Sequence, residues 1–331
     1  MKWKILGIIF VLALGLVVSG CTQEETTTSP VEKTEITIYT GGTGGVYFPL
    51  GSKYAELLTK YGTVVSAEAV TSGASVANAK AIENGNAQAV IIQNDVAYYA
   101  YNGLYMFEDG SIKKLKGVAS LYPETVQIVV RADSDIKTFQ DLKGKKVSIG
   151  AVGSGCAVGA EQVFKAAGVW DSIDKVYMTM SESSQALRLG QIDALVYVSG
   201  APAAAVTQIA TQTPVRLIPV SEEILNKLKD EGYIFYVKQV VPKGTYNGLT
   251  EDVPTIAVKA MLAVSEDLPD DVVYEMTKIL YEHLDELRTV HQKAQAITLD
   301  TALDGMSIPL HPGAIKYYEE KGLTIPSELK G

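Results

Sequence analysis

The sequence predicts an α/β protein built of two similar lobes that are joined by a hinge of crossing strands. Short β-branched runs alternate with helix-like segments along most of the chain, which is the pattern of βαβ units and a mostly parallel sheet. In addition, one loop design occurs twice, as ITIYTGGTGG at 36–45 and as VSIGAVGSG at 147–155. Each copy is a short strand, then glycines around one hydroxyl, then a helix. Two lobes of the same architecture are therefore expected.

The predicted first lobe contains three strands that alternate with three helices. Apolar residues occur in short runs where strands are expected and recur at helical spacing between those runs. The predicted strands are 36–39, 64–70 and 87–92, and the predicted helices are 47–61, 75–83 and the segment that follows Gln93. Ser75 stands where a side-chain cap of the second helix is expected.

The second lobe is predicted to repeat this order after the chain has crossed from the first. Two extended runs, 116–121 and 125–131, are separated only by Tyr122-Pro123-Glu124 and suit a crossing between lobes. The elements predicted next are strands at 147–149, 175–180 and 194–198, and helices at 157–167, at 183–189 and from Ser199. We expect 215–219 to return to the first lobe, 233–240 to form another strand, and the chain from Thr255 onward to be mainly helical. The predicted lobe boundaries are 36–121 and 218–331 for lobe 1 and 122–217 for lobe 2.

The first 21 residues have the order of a secretory signal, with Lys2 and Lys4, an apolar run, and small residues before Cys21. The apolar run is shorter than the roughly 20 residues that a membrane-spanning helix needs. The sequence Val18-Ser19-Gly20-Cys21 is similar to the processing site of prokaryotic lipoproteins, in which the cysteine is lipidated. We predict a lipoprotein signal at 1–21, lipidation of Cys21, a polar tether at 22–35, and an extracytoplasmic protein anchored to the cell membrane.

Composition and charge exclude several classes of function. The formal net charge of −9 argues against nucleic-acid binding, for which basic patches are expected. After Cys21 the only cysteine is Cys156, so no disulfide bond is possible within the mature chain. The three histidines are scattered without the spacing of zinc ligands. The dinucleotide pattern G-x-G-x-x-G would need a glycine where Tyr47 stands, and the other phosphate-loop motif is absent, so no cofactor is predicted.

Both glycine loops have the design of an anion-binding site. Glycines let a ligand approach the backbone, and the first N–H groups of the following helix have no partner inside that helix. The helix dipole makes this end positive, so a carboxylate or phosphate is the natural ligand. Ligands of parallel sheets bind outside the carboxyl ends of the strands, so the polar residues after five strands are expected to converge on one cleft. These residues are Thr43, Ser72, Gln93, Ser154 and Ser199, with Thr43 and Ser154 in equivalent places and facing each other.

Arginine is scarce, and its positions favour recognition of a carboxylate by backbone groups and hydroxyls. Arg188 lies in a helical run and Arg216 in a strand, where surface roles are expected. Arg131 follows the crossing strand and is the arginine placed to reach a cleft.

An ordered set of motifs resembles one known family. The motifs are TGGTGGVYFPLG, TSGAS, QNDVAYYAYNG, the block from ASLYPETVQIVV to VSIGAVGSG, and SGAPAAAV, and together they span roughly residues 36–322. They resemble the TAXI family, the solute receptors of tripartite ATP-independent periplasmic (TRAP) transporters. The resemblance implies a type II periplasmic-binding-protein fold, with two α/β lobes and a ligand held between them.

The resemblance also implies a ligand class and a set of site residues. Relatives bind glutamate, glutamine and similar small carboxylates, and the receptor delivers its ligand to TRAP permease subunits for Na⁺- or H⁺-coupled uptake. The predicted ligand-binding residues are Thr43, Gly44, Tyr47, Ser72, Ser75, Gln93, Asp95, Tyr122, Ser154, Gly155, Cys156, Ser199 and Pro202. Cys156 departs from the hydroxyl or amide residue common at its place, which puts side-chain donation there in question. We expect a monomer.

Two other functions stay open at this point. A receptor of the same fold can supply an ABC transporter or a sensor protein, and the sequence does not separate that role from TRAP transport. A periplasmic enzyme is the alternative from a different class. No Ser/His/Asp or Cys/His arrangement is evident, although Cys156 at a helix N-terminus is a place where a thiol pKa can be lowered.

Overall fold

Two long antiparallel strands, β4 (Leu115–Arg131) and β10 (Val253–Ser265), run side by side through the centre of the fold. The structure is a computed structural model that describes residues 33–331. The predicted signal, Cys21 and the tether up to residue 32 lie outside these residues. Within the described part, β1 already begins at Thr34 and pairs Thr34 with Val65, so the tether ends earlier than predicted.

The described residues form one sheet of ten strands with ten α-helices around it. The other strands are β1 (Thr34–Tyr39), β2 (Val65–Val70), β3 (Ala89–Gln93), β5 (Lys146–Ser148), β6 (Asp174–Val176), β7 (Ala194–Ser199), β8 (Val215–Ile218) and β9 (Val237–Val241). The helices are α1 (Tyr47–Tyr61), α2 (Ser75–Glu83), α3 (Asn94–Asn102), α4 (Gly155–Ala166), α5 (Met180–Arg188), α6 (Ala204–Gln212), α7 (Glu222–Asp230), α8 (Asp270–Glu282), α9 (Leu284–Arg288) and α10 (Pro312–Glu320).

The two long strands join two halves of the sheet. On one side β2, β1 and β3 are parallel, and β3 pairs with residues 260–264 of β10. On the other side β6, β5 and β7 are parallel, and β7 pairs with residues 125–130 of β4. We call the first half, with helices α1–α3 and α8–α10, lobe 1. The second half, with strands β5–β9 and helices α4–α7, is lobe 2.

Each lobe buries both faces of its part of the sheet. In lobe 1 one core contains Ile36 and Ile38 of β1 beneath α1 and α8, and another contains Val90 and Ile92 of β3 beneath α2 and α3. Lobe 2 likewise has a core on each face of β7. Strands that are buried on both faces are continuously apolar rather than alternating, which explains the short apolar runs in the sequence. The α/β fold with two lobes and crossing strands is confirmed.

The return to lobe 1 occurs later than the sequence indicates. The run 215–219 was expected to lead back, yet β8 pairs with residues 128–131 of β4 in lobe 2. Helix α7 and β9 also belong to lobe 2, because Ile224 and Leu228 pack in its core and β9 pairs with residues 253–257 of β10. The chain returns to lobe 1 through β10, which begins at Val253, beyond the predicted boundary at 218.

Two local predictions also need correction. The segment after Thr255 is not helical at first, because Val253–Ser265 forms the central strand β10. The extended runs 116–121 and 125–131 are one strand, β4, rather than two. Helix α2 is capped at Ala74 without a side-chain bond, and the Ser75 hydroxyl instead accepts a hydrogen bond from the Gln93 amide at 3.1 Å.

Within residues 33–331, no helix combines the length and the apolar character required to cross a bilayer.

Candidate ligand-binding site

A cavity of about 120 Å³ lies between the two lobes. Its walls are formed by the loops that follow β1, β2, β3, β5, β6 and β7. The cavity therefore lies at the carboxyl ends of the parallel strands of both lobes. The lining residues are Gly41, Gly42, Gly45, Val46, Tyr47, Ser72, Gly73, Ala74, Ser75, Gln93, Glu124, Gly150, Ala151, Ser154, Gly155, Cys156, Thr179, Met180, Val198 and Ser199.

The two lobes touch on both sides of this cavity. At one side the amides of Val76 and Ala77, at the start of α2, donate to the Gly153 carbonyl of lobe 2 at 3.1 and 3.2 Å. At the other side the Ala205 amide of lobe 2 donates to the Gly44 carbonyl of lobe 1 at 3.2 Å. The structure therefore shows a closed arrangement of the lobes.

Gln93 of lobe 1 and Gly155 of lobe 2 lie close together at the cavity wall. A Cβ atom built on Gly155 would lie 1.4 Å from Gln93 Oε1 and 2.9 Å from Ser75 Oγ. Gln93 is 2% exposed, and its Nε2 has no hydrogen-bond partner within the described residues. A buried amide that lacks a partner costs free energy, so a ligand atom that accepts from Nε2 would be stabilising. The adjoining α4 offers first-turn N–H groups at the same place.

The serine hydroxyls at the cavity wall are mostly engaged with the protein. Ser154 caps α4, since its Oγ accepts from the Ala157 amide at 3.2 Å and donates to the Ala151 carbonyl at 2.7 Å. Ser72 Oγ lies 2.6 Å from Asn78 Oδ1 and accepts from the Ala74 amide at 3.0 Å. These two hydroxyls shape the loops, which leaves direct donation to a ligand to other groups.

Glu124 places a carboxyl group in the cavity wall. It is 2% exposed, and its Oε2 accepts a hydrogen bond of 2.6 Å from the Tyr47 hydroxyl. Burial raises the pKa of Glu124 well above its usual value, the Tyr47 hydrogen bond opposes that shift, and the nearby Asp95 carboxyl adds to it. Burial also raises the pKa of Tyr47 well above its usual value, so this hydroxyl keeps its proton and remains a donor.

Cys156 is a neutral thiol despite its place in the first turn of α4. Its Sγ accepts a hydrogen bond from the Val198 amide at 3.1 Å, and the residue is 6% exposed. Burial raises the pKa of the thiol to about 12. The effect of burial is therefore larger than the decrease in pKa that the helix N-terminus was expected to cause. A thiolate nucleophile is therefore not present at neutral pH.

The structure brings together eight of the predicted site residues and leaves five away from the cavity wall. Those that line it are Tyr47, Ser72, Ser75, Gln93, Ser154, Gly155, Cys156 and Ser199. Thr43 is exposed and is not among the residues that line the cavity, so this structure does not place it opposite Ser154. Gly44 lies at the contact between lobes, where a Cβ would be 3.1 Å from Ala205 and Met180.

The other three residues lie behind the wall or outside it. Asp95 is buried at the start of α3, where its Oδ1 accepts from the Val96 amide, and burial raises its pKa to about 7. Tyr122 is fully buried, and its hydroxyl has no partner among the described residues. Pro202 is half-buried ahead of α6.

Sequence reasoning missed Glu124, Thr179 and Met180, all of which line the cavity. It expected carboxylate recognition without arginine, and within the described chain no lysine, arginine or histidine lines the cavity. Arg131 instead pairs with Asp133 at 3.1 Å, and Arg216 donates to the carbonyls of residues 132, 134 and 136. No group of three or more His, Cys, Asp or Glu side chains in residues 33–331 is arranged to hold a metal ion.

Comparison with known proteins places this fold among the type II periplasmic-binding proteins. The periplasmic aliphatic sulphonate binding protein SsuA from Escherichia coli matches with a TM-score of 0.50 and 16% identity, over 87% of this chain and 83% of the other. The alkanesulfonate-binding protein SsuA from Xanthomonas axonopodis pv. citri, bound to MOPS, has a TM-score of 0.49 and 16% identity, over 88% and 91%. At the level of sequence, the profile of the NMT1-like family matches residues 38–322. The chain belongs to the NMT1-like family.

Proposed function

We propose that this protein is an extracytoplasmic solute-binding receptor that holds a small carboxylate, such as glutamate or glutamine, in the cavity between its lobes. The observation that carries the proposal is the buried side chain of Gln93, which lines the cavity near the first turn of α4 and whose Nε2 has no partner in residues 33–331. A carboxylate placed there would accept from Nε2 and from first-turn N–H groups of the helix.

The geometry between the lobes supports a receptor that captures its ligand by closure. The ligand would contact loops of both lobes, and β4 and β10 are the two strands that connect them. Binding that depends on contacts from both lobes favours the closed arrangement by the differential affinity of the ligand for it. A cavity of about 120 Å³ suits a small metabolite rather than a peptide or a polymer.

The role in transport is the finer part of the proposal. The motif resemblance to the TAXI family supports delivery of the ligand to TRAP permease subunits, and the leader sequence supports attachment to the membrane through a lipid on Cys21. A receptor that supplies an ABC transporter or a sensor protein is the alternative. A periplasmic enzyme is disfavoured by the neutral Cys156 thiol, which does not provide a thiolate nucleophile.

Thermal melting with candidate ligands tests the proposed function. The panel contains L-amino acids, dicarboxylates, 2-oxo acids, aliphatic sulfonates, sugars and cations. A ligand at about 1,000 times its Kd adds about 4 kcal/mol to the free energy of unfolding, so one of the carboxylates is expected to raise the Tm clearly. A flat response across all carboxylates contradicts the proposed ligand class. Mass spectrometry of small molecules that remain with the natively purified protein identifies the ligand independently.

A further inference from the structure

The carboxyl group of Glu124 has a fixed place in the cavity wall. Glu124 lies in the crossing strand β4, opposite Val258 of β10, so two paired strands hold its backbone. The Tyr47 hydroxyl donates to Oε2, and this is the only hydrogen bond to the Glu124 carboxyl within residues 33–331. Oε1 therefore keeps its capacity to accept a hydrogen bond from a group in the cavity.

The cavity offers this acid no cationic partner. None of the described residues that line it is a lysine, an arginine or a histidine. Burial raises the pKa of Glu124 because its ionised form is costly here, where the described residues supply one neutral donor, Tyr47, and no paired positive charge. A ligand that brings its own positive charge would remove this cost.

A second polar region of the cavity is suited to a negatively charged group of the ligand. Gln93 Nε2 is a buried donor without a partner in the described chain, and Oε1 of the same side-chain amide is the atom that a Cβ on Gly155, at the first turn of α4, would meet. The helix N-terminus favours negative charge. The cavity thus has one part that accepts hydrogen bonds from a cation and another that donates hydrogen bonds to an anion.

We propose that Glu124 binds the ammonium group of the ligand while Gln93 and the first turn of α4 bind its carboxylate, so that the ligand is an α-amino acid rather than a 2-oxo acid or a simple dicarboxylate. This inference rests on the proposed function, because it assumes that a small carboxylate binds in the cavity. It adds the residue that determines specificity and narrows the ligand to a zwitterion.

The test compares matched ligand pairs that differ only at the amino group. Calorimetric titration is carried out with L-glutamate and 2-oxoglutarate, and with other L-amino acids and their 2-oxo acids. The wild-type protein is expected to bind the amino acid of a pair at least about 10-fold more tightly, because the 2-oxo acid leaves Glu124 buried and unpaired. In Glu124→Gln, the amino acid is expected to lose about 10- to 150-fold in affinity while the 2-oxo acid loses little. The exposed Glu108→Gln, which removes the same charge elsewhere, is expected to bind as wild type does.

The outcomes separate this inference from the proposed function. Equal affinity for both members of each pair, or an unchanged preference in Glu124→Gln, overturns the role of Glu124 while the receptor function stands. Binding of no pair overturns the carboxylate receptor itself and the inference with it. The comparison of ligand pairs uses the wild-type protein, so it decides the question even if Glu124→Gln does not fold.

Discussion

The side chain of Gln93 in lobe 1 occupies the space that a side chain at Gly155 in lobe 2 would need. A Cβ on Gly155 would stand 1.4 Å from Gln93 Oε1 and 2.4 Å from Gln93 Cδ. Glycine at this position therefore lets the N-terminus of α4 approach the end of β3 closely. This contact joins the two lobes at the place where the proposed ligand carboxylate binds.

Gly155→Ala is expected to weaken ligand binding, because the new methyl group would displace Gln93 or hold the lobes apart. Overpacking of this kind costs about 1–3 kcal/mol, or roughly 5- to 150-fold in affinity. Calorimetric titration with the ligand found by thermal melting measures this loss. Gly110→Ala is the matched control, since a Cβ there meets no atom within 4 Å and its affinity should stay at the wild-type value. Wild-type affinity in Gly155→Ala would show that closure at this contact is not required for binding.

Gln93→Met is expected to lower ligand affinity while leaving the Tm of the ligand-free protein unchanged or higher. Replacing a buried polar group that lacks a partner with an apolar group of similar size removes its desolvation cost. Gln88→Met provides a contrast in the same strand region, because Gln88 Oε1 accepts from the Thr37 amide at 3.0 Å. That variant should lose stability and keep its affinity. A lower Tm together with unchanged affinity in Gln93→Met would mean that Gln93 is structural.

Ser154→Ala is expected to reduce stability by about 1 kcal/mol through loss of the α4 cap. Its ligand affinity should change by less than about threefold, because the hydroxyl hydrogen is already engaged with the Ala151 carbonyl. Ser221→Ala, which removes the equivalent cap of α7, should give a similar loss of stability. Thermal melts and titrations of both variants measure the two effects. A large loss of affinity confined to Ser154→Ala would restore this hydroxyl as a ligand donor.

Asp95 is expected to make the protein less stable as the pH rises through the weakly acidic range. Its pKa is about 7 in the folded chain because of burial, against about 3.9 in an unfolded chain. Between these values the folded state holds a proton that the unfolded state has released, so stability decreases by up to about 1.4 kcal/mol per pH unit from pH 4 to pH 7. The groups whose pKa values respond to this acid are Glu124, Tyr99 and Tyr236.

Asp95→Asn removes this titration and tests its sign. The amide oxygen can still accept from the Val96 amide, so the start of α3 is preserved. Chemical denaturation at pH 5 and at pH 8 should show that the variant gains stability relative to wild type at pH 8 and gains less at pH 5. A larger gain at pH 5 than at pH 8 would contradict the raised pKa.

The sequence predicted most of the fold because the relevant signals are local. β3 and β7 are short, mostly apolar runs, whereas β1 and β2 alternate polar and apolar residues, and each of the four strands lies close to where the pattern predicts it. β10 was missed because its sequence, VPTIAVKAMLAVS, contains several alanines and is buried on both sides, so it shows neither strand alternation nor strong β propensity. The observed lobe boundary differs from the predicted one for the same reason, because β10 is the strand that carries the chain back to lobe 1.

The sequence predicted the loop residues that line the cavity but did not predict the carboxyl group of Glu124. Tyr47, Ser75, Gln93 and Gly155 follow strands, and the rule for parallel sheets places them at the cavity. Glu124 follows Pro123 inside a strand, and its burial depends on β10, whose residues are far away in the sequence. Thr43 lies outside the cavity wall although its loop resembles that of Ser154, because the two helices begin at different places relative to these residues. Helix α4 begins directly after Ser154, whereas α1 begins at Tyr47, several residues after Thr43.

A crystal structure of the protein with the ligand that most increases its Tm tests the central claim most directly. The account predicts closed lobes and density for one small molecule in the cavity, with its carboxylate at Gln93 Nε2 and the first turn of α4 and its ammonium within about 3 Å of Glu124. An empty cavity, or the molecule bound elsewhere on the protein, would contradict the account.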